Sequence, residues 1–405
     1  MSPMYWSWFH TYPRIWRASL AAALTAILLA TAGAPAAGAR PDSGLRAGLD
    51  AVTAAGMPGV FAELRDGRHA TTAASGVADV DTGRPVRPHM RHRVGSITKT
   101  FVATALLQLV GEGRLALDAP LGRYLPEFAV PGVTVRMLLN HTSGLGDYVP
   151  VLFRSGEDIE ARRYTTFEPR DLARMGLAQP RTGTPGTGWS YSNTNYILAG
   201  LILEQVTGRP AAYEINRRII RPLGLSGTYL PGHATRIVGP HSEAYIPWGE
   251  GILRDFSEYN MSWLWLAGEL VSTPTDVNRF YRALLTGRLL RPAELAQLRT
   301  VVPRDPAHPE KGSYGLGIWT RPLPCGPVWG HDGLGFGYST ISLHSADGAR
   351  QITVAANMSF YNPPGAPDPI ADAIDAVVQE GLCPGRPDRS TGRHSWVTAP
   401  GFTLP

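Results

Sequence analysis

From Ser96 to Val110 the chain reads SITKTFVATALLQLV, and Gly111 follows. Apolar residues fall on nearly every face of the helix this stretch predicts, and a helix that is apolar all round is buried. Before it, LRAGLDAVTAAG predicts a first helix ending at Gly56. GVFAELRDGRHATTAASGVADV then alternates around Asp66-Gly67, a hairpin signal. From Leu115 to about Trp265 the pattern changes to short helical patches parted by Pro and Gly, among them VRMLLNHTSGL and SNTNYILAGLILEQVTG. After Ala267 come a helix (TPTDVNRFYRALLTG), strand-like runs (YGLGIW, PVWGHDG, GYSTISLHS, QITVAANM) and a closing helix (DPIADAIDAVVQEGL). Strands near both ends predict one α/β domain made from residues 40–114 and 266–384, with a mostly helical segment, 115–265, inserted between them. No internal repeat is visible.

The two ends read differently from this body. Arg14 and Arg17 precede an apolar run, Ala18 to Ala32, followed by small residues with Ala-x-Ala sites ending at Ala36 and Ala39. That is the layout of a secretory signal peptide over 1–39, and the run is shorter than the ~20 residues a membrane span needs. A secreted protein is expected, with an uncleaved anchor as the other reading. No other stretch could cross a bilayer. The tail, 385–405, is polar and rich in Pro and Gly and is expected to be disordered. The two cysteines, Cys325 and Cys383, suggest a disulfide in an exported chain, against the alternative of two buried thiols.

Composition narrows the function. Hydrophobic content of 43% and charged content of 18% suit a globular protein and argue against disorder. The formal charge is +5, but the Arg residues are scattered without a basic run, which argues against nucleic acid as a partner. No H-E-x-x-H, paired C-x-x-C or phosphate-binding Gly-rich loop appears, so neither a metal nor a cofactor is expected. We expect a monomer acting on a small-molecule or peptide substrate.

One residue type stands out. Only two lysines occur, Lys99 and Lys311, while Arg is abundant. The two cations serve equally on a solvated surface but differ where a proton must move. Arg keeps its proton, whereas a desolvated Lys can lose it and act as a base. Lys99 lies three residues after Ser96, so the two share a helix face. An apolar setting would lower the Lys99 pKa, and the helix N-terminus offers free N–H groups to a developing oxyanion. An ordinary surface lysine is the competing interpretation.

Three short motifs occur in order: Ser96-Ile97-Thr98-Lys99, Tyr191-Ser192-Asn193 and His331-Asp332-Gly333. With LLNHTSGL, PGTGWSYSNTNYILAGLILEQVTG and PLGLSGTYL around them, they resemble the serine β-lactamase and D-alanyl-D-alanine carboxypeptidase superfamily over roughly Leu45 to Cys383. The pattern is most similar to the secreted actinobacterial carboxypeptidases. The resemblance implies a β-lactamase/transpeptidase-like fold, an antiparallel sheet flanked by helices plus the helical insertion. It also implies acyl transfer: Ser96 as nucleophile, Lys99 as its base, and Tyr191 sharing the proton and passing it to the leaving group. Asn193 would offer its amide to the substrate. The N–H groups of Ser96 and Leu334, the latter following Gly333, would form the oxyanion hole. His331 would bond the Tyr191 side of the network, and Trp263 would wall the cleft. His141 reads as structural. Taken singly, Asn193 could instead be a helix N-cap, His331 a satisfied histidine near a turn, and Trp263 a core residue.

The implied activity is that of a D-Ala-D-Ala carboxypeptidase or transpeptidase-like penicillin-binding enzyme. A β-lactamase, an esterase or a D-amino-acid amidase on the same fold are the alternatives, and a non-catalytic penicillin sensor is the alternative of another class. The third motif departs from the carboxypeptidase His-Thr-Gly-Thr. Leu334 offers no side-chain hydrogen bond to a terminal carboxylate, and Asp332 adds a negative charge that strand alternation should turn away from the His331 face. Trp319 falls where relatives can carry an Arg, and Arg321 is the candidate substitute for that cation. Weak carboxypeptidase activity, with better turnover of esters, thioesters or uncharged amides, is therefore expected.

Overall fold

The alternating segment after Met57 forms the hairpin its pattern predicts. Strand β1 (Gly59–Asp66) pairs antiparallel with β2 (His69–Gly76), and Gly67 takes the positive φ of the turn. This is a computed structural model, and it describes residues 41–249, 251–361 and 367–386. The expected signal peptide, and the expected tail beyond 386, lie outside the described residues. Six further strands complete the sheet: β3 (Val302–Pro303), β4 (Ser313–Tyr314), β5 (Trp319–Leu323), β6 (Gly326–Gly335), β7 (Tyr338–Ser345) and β8 (Arg350–Ala356). The order across it is β2-β1-β8-β7-β6-β5-β4-β3, antiparallel throughout.

Five longer helices matter for the site: α1 (Pro41–Ala54), α2 (Thr98–Gly111), α3 (Thr194–Thr207), α4 (Pro274–Leu285) and α5 (Pro369–Leu382). Leu49 and Val52 of α1 and Val377 and Val378 of α5 share one core with Val60, Ile352 and Val354 of the sheet. A second core holds α2, α3 and α4, where the Phe101 ring stacks on Phe280 at 3.6 Å. Fully burying each of these rings contributes on the order of 2–3 kcal/mol. Between α4 and the sheet lies a hydrogen-bonded polar layer. Asn278 donates to the Glu63 carbonyl at 3.0 Å and accepts from Thr353 at 2.7 Å, and its own carbonyl accepts from Gln351 at 2.8 Å.

Two elements differ from the sequence reading. YGLGIW is not one strand. β4 ends at Tyr314, Gly317 takes a φ of +72°, and β5 begins only at Trp319, so the glycines make a turn where the apolar run suggested continuity. The segment 115–265 is mainly short helices, but Tyr245–Pro247 and Leu253–Asp255 form a two-stranded pair within it. No helix of the described residues is long and apolar enough to cross a membrane.

Cys325 and Cys383 are joined in a disulfide, with Cα atoms 5.5 Å apart. It ties the β5–β6 turn to the end of α5. Closing a loop of this size contributes about 4 kcal/mol in the chain-entropy model. Digestion without reductant should yield the two cysteine peptides joined, and Cys325→Ser with Cys383→Ser should lower the Tm by several degrees. Free thiols in freshly made protein and an unchanged Tm would contradict the pairing.

Candidate active site

Gly95–Ile97 form one tight turn that runs into α2. Gly95 has a φ of +52°, and a Cβ there would lie 2.5 Å from both the N and O atoms of Leu334, so only glycine fits. Ser96 follows, and Lys99 sits one turn further on. Nζ of Lys99 lies 2.9 Å from the Ser96 Oγ. It also donates to Oδ1 of Asn193 at 2.9 Å and to the Ala267 carbonyl at 2.6 Å. The side chain has no solvent exposure, and the Tyr191 and Tyr196 rings stand 4.8 and 5.6 Å from Nζ. Burial brings the Lys99 pKa down to about 7, against the opposing pull of the Asp147 and Asp332 charges. A substantial share of the free amine is thus present at neutral pH.

Tyr191 and Asn193 come from the segment that leads into α3. The Tyr191 hydroxyl donates to Ser96 Oγ at 2.8 Å. Burial holds its pKa well above the ordinary phenol value. His141 fixes this segment. It takes a φ of +61°, its carbonyl accepts from Ser190 N at 2.9 Å, its Nδ1 accepts from Ser192 N at 3.2 Å, and its ring lies 4.3 Å from that of Tyr191. Asn193 occupies the N-cap position of α3 but makes no side-chain cap bond. Its amide instead bridges Lys99 and Asp147, donating to Asp147 Oδ2 at 2.9 Å. The amide expected to face substrate thus already donates one N–H to Asp147.

The third side of the site is β6. Its pairing with β5 ends at Gly330, whereas its pairing with β7 continues to Gly335. The outer edge of residues 331–335 is left to the Ser96 turn. A Cβ on Gly333 would lie 1.9 Å from the Val94 carbonyl and 2.9 Å from Ser96 N, which shows how closely the two main chains approach. Leu334 N lies against Gly95 on the same contact.

Four expectations need correction or completion. His331 does not bond Tyr191. It is buried, and its Nε2 lies 2.8 Å from the Tyr314 hydroxyl, because Tyr314 of β4 stands between it and the Tyr191 cluster. Burial lowers the His331 pKa to about 4, so the ring is neutral. Trp263 is not a cleft wall. It is 6% exposed, with its ring 4.8 Å from Phe336 and 4.9 Å from Phe153. Asp332 accepts from the Trp319 indole N–H at 3.0 Å but does not leave His331, whose Nδ1 is 3.5 Å from the same oxygen, and its charge still reaches Lys99 and Tyr191. Arg321 is buried and paired with Asp375 of α5 at 3.3 Å, so it does not stand in for the missing arginine.

Sequence reasoning missed Asp147, Tyr314 and Arg304. The Arg304 guanidinium lies over the Trp189 and Trp319 rings at 5.1 and 5.9 Å and donates to the Lys311 carbonyl at 3.4 Å. None of the three sits in a spaced motif. Asp147 was visible only as an acidic residue in the stretch NHTSGLGDY. Among the described residues, no group of three His, Cys, Asp or Glu side chains could hold a metal ion.

The chain matches the family model described as Beta-lactamase over residues 45–377. The structure of a D-stereospecific amidohydrolase from Streptomyces sp. superimposes with a TM-score of 0.77 at 36% identity, covering 85% of this chain and 99% of that one. A D-aminopeptidase of Cereibacter sphaeroides is 28% identical over 81% of this chain and 62% of its own length. Esterase EstB of Burkholderia gladioli is 40% identical over 38% of this chain and 41% of its own. The chain thus spans less than two thirds of the length of these curated relatives.

Proposed function

The chain belongs to the beta-lactamase family of serine hydrolases, and from this we propose that it hydrolyses small amides and esters of D-configured acyl groups through an acyl-enzyme on Ser96. The observation that carries the reading is the Trp319–Asp332 pair on the β5–β6 face of the site. A carboxypeptidase needs a cation or hydroxyls for the terminal carboxylate of its substrate. Here a carboxylate stands in the third motif, and Arg321 is committed to Asp375. A leaving group without a negative charge suits such a site. The names of the relatives, an amidohydrolase, an aminopeptidase and an esterase, agree with it.

The chemistry follows from the two perturbed groups. Burial pushes Lys99 down to about 7 and Tyr191 well up. Groups whose pKa values are driven apart divide the acid and base work. Neutral Lys99 takes the Ser96 hydroxyl proton as Oγ bonds to the substrate carbonyl carbon. Tyr191 stays a phenol and relays a proton from the Lys99 side to the leaving nitrogen or oxygen as its bond to carbon breaks. The N–H groups of Ser96 and Leu334 stabilise the oxyanion. Water then attacks the ester by the reverse proton path.

The test compares kcat/KM for D-phenylalaninamide and a D-alanine ester with that for an acyl-D-Ala-D-Ala peptide. We expect the uncharged leaving groups to be favoured by roughly tenfold or more, and Asp332→Thr to narrow the gap. A preference for the free carboxylate favours the second reading, a carboxypeptidase. Arg304 is the observation behind that reading, since it places a cation beside Trp319. Arg304→Gln should then abolish the preference.

A further inference from the structure

We propose that Asp147 is a positioning residue for Lys99: it fixes the Asn193 amide so that the lone pair of the neutral lysine amine can point only at Ser96. The inference rests on the acyl-enzyme reading above and adds a residue to it.

Nζ of Lys99 has three polar neighbours, Ser96 Oγ, Asn193 Oδ1 and the Ala267 carbonyl. A neutral amine has two N–H donors and one lone pair. The Ala267 carbonyl can only accept. If Asn193 also presents its oxygen, both N–H groups are consumed and the lone pair is left for the serine hydroxyl. If the Asn193 amide were rotated by half a turn, its NH2 would face Nζ and capture that lone pair. The position of the asparagine oxygen therefore decides whether Lys99 is a base toward Ser96.

Asp147 makes that decision. Its carboxylate is an acceptor on the far side of the amide and takes the Asn193 Nδ2 hydrogen at 2.9 Å. An amide held between an acceptor-only carboxylate and a donating amine has one stable orientation. Asp147 is held in turn by Val149 N at 3.1 Å and by the Asn193 main-chain N–H. Burial pushes its carboxyl upward, and these donors work against that shift. The segment is further pinned at Gly146, whose carbonyl accepts from Ser192 at 2.9 Å and from Thr194 at 2.7 Å. Sheet, insertion and α2 all place groups around Lys99: Asp147 and Asp332 raise its proton affinity, while the His141 and His331 rings are neutral through burial and Tyr191 and Tyr196 stay protonated. Asp147 is thus one of two charges that oppose desolvation at the amine.

The two roles separate in a pair of variants. Asp147→Ala removes both acceptor and charge, while Asp147→Asn keeps an acceptor oxygen and removes the charge. Acylation of Ser96 by p-nitrophenyl acetate is followed by the nitrophenol burst across pH, in full-length protein checked for folding by circular dichroism. Losing the carboxylate destabilises the ammonium, so the acid limb of the acylation rate should move to lower pH by roughly one unit in both variants. The plateau rate should fall about tenfold or more in Asp147→Ala and be largely retained in Asp147→Asn. A plateau rate retained in folded Asp147→Ala overturns the proposal, as does an Asp147→Ala loss that only tracks loss of folded protein, or an equal plateau loss in Asp147→Asn. A wild-type protein that carries no acetyl group on Ser96 by mass spectrometry overturns the acyl-enzyme reading, and this inference with it.

Discussion

Lys99→Arg is expected to slow acylation of Ser96 by about 10³-fold. The substitution keeps the positive charge and removes the ability to give up the proton. In wild-type protein burial sets the Lys99 pKa to about 7, so acylation should rise with pH through that value and level off above it. The sign follows from the role, because the base form is the deprotonated one. Lys99→Met serves as a second variant, since it fits an apolar pocket without a guanidinium. It should lose the same rate and the same pH limb. Ser96→Ala should give no adduct at all with p-nitrophenyl acetate or a fluorescent penicillin, read by intact mass. A Lys99→Arg protein that acylates at the wild-type rate would rule out the base role.

Gly333→Ala should cost acylation 10²-fold or more, at about the level seen when an oxyanion-hole donor is lost. The added carbon would meet the Val94 carbonyl at 1.9 Å and Ser96 N at 2.9 Å, both main-chain atoms. Strand and turn must separate, which moves Leu334 N away from Ser96 N. The contact is local, so stability should fall by only about 1–3 kcal/mol. The informative readout is therefore the split between the two effects: a burst rate reduced a hundredfold in protein that still melts cooperatively. A Gly333→Ala enzyme with normal burst kinetics would show that this approach does not set the oxyanion geometry.

Much of the scaffold was legible because its pattern is periodic. The all-apolar stretch after Ser96 forms buried α2, and the alternation around Asp66-Gly67 forms the β1–β2 hairpin. YGLGIW misled because an apolar run says nothing of φ, and Gly317 turns the chain inside it. In the site, spacing was enough to bring Ser96 next to Lys99, since three residues along a helix is a geometric fact. Spacing could not supply partners that arrive from other elements. Tyr314 reaches His331 from a neighbouring part of the sheet, Asp147 reaches Asn193 across the helical segment, and the Ala267 carbonyl reaches Lys99 from a short 3-10 turn. Trp263 shows the converse. An aromatic in the right stretch of sequence was assigned to the cleft, but packing against Phe153 and Phe336 claims it for the core.

The scarcity of lysine has a practical side. Lys99 is fully enclosed, whereas the Lys311 side chain is 53% exposed and pairs with Asp305 at 2.7 Å. Amine-directed reagents thus meet a single lysine at the surface of the described residues, and bioconjugation should label that lysine and the chain's α-amine with the inner amine untouched. The Lys311 carbonyl accepts from Arg304, whose guanidinium lies over Trp189 and Trp319. A fluorophore attached at Lys311 would therefore sit next to Arg304, on the side of the fold that carries Trp189 and Trp319.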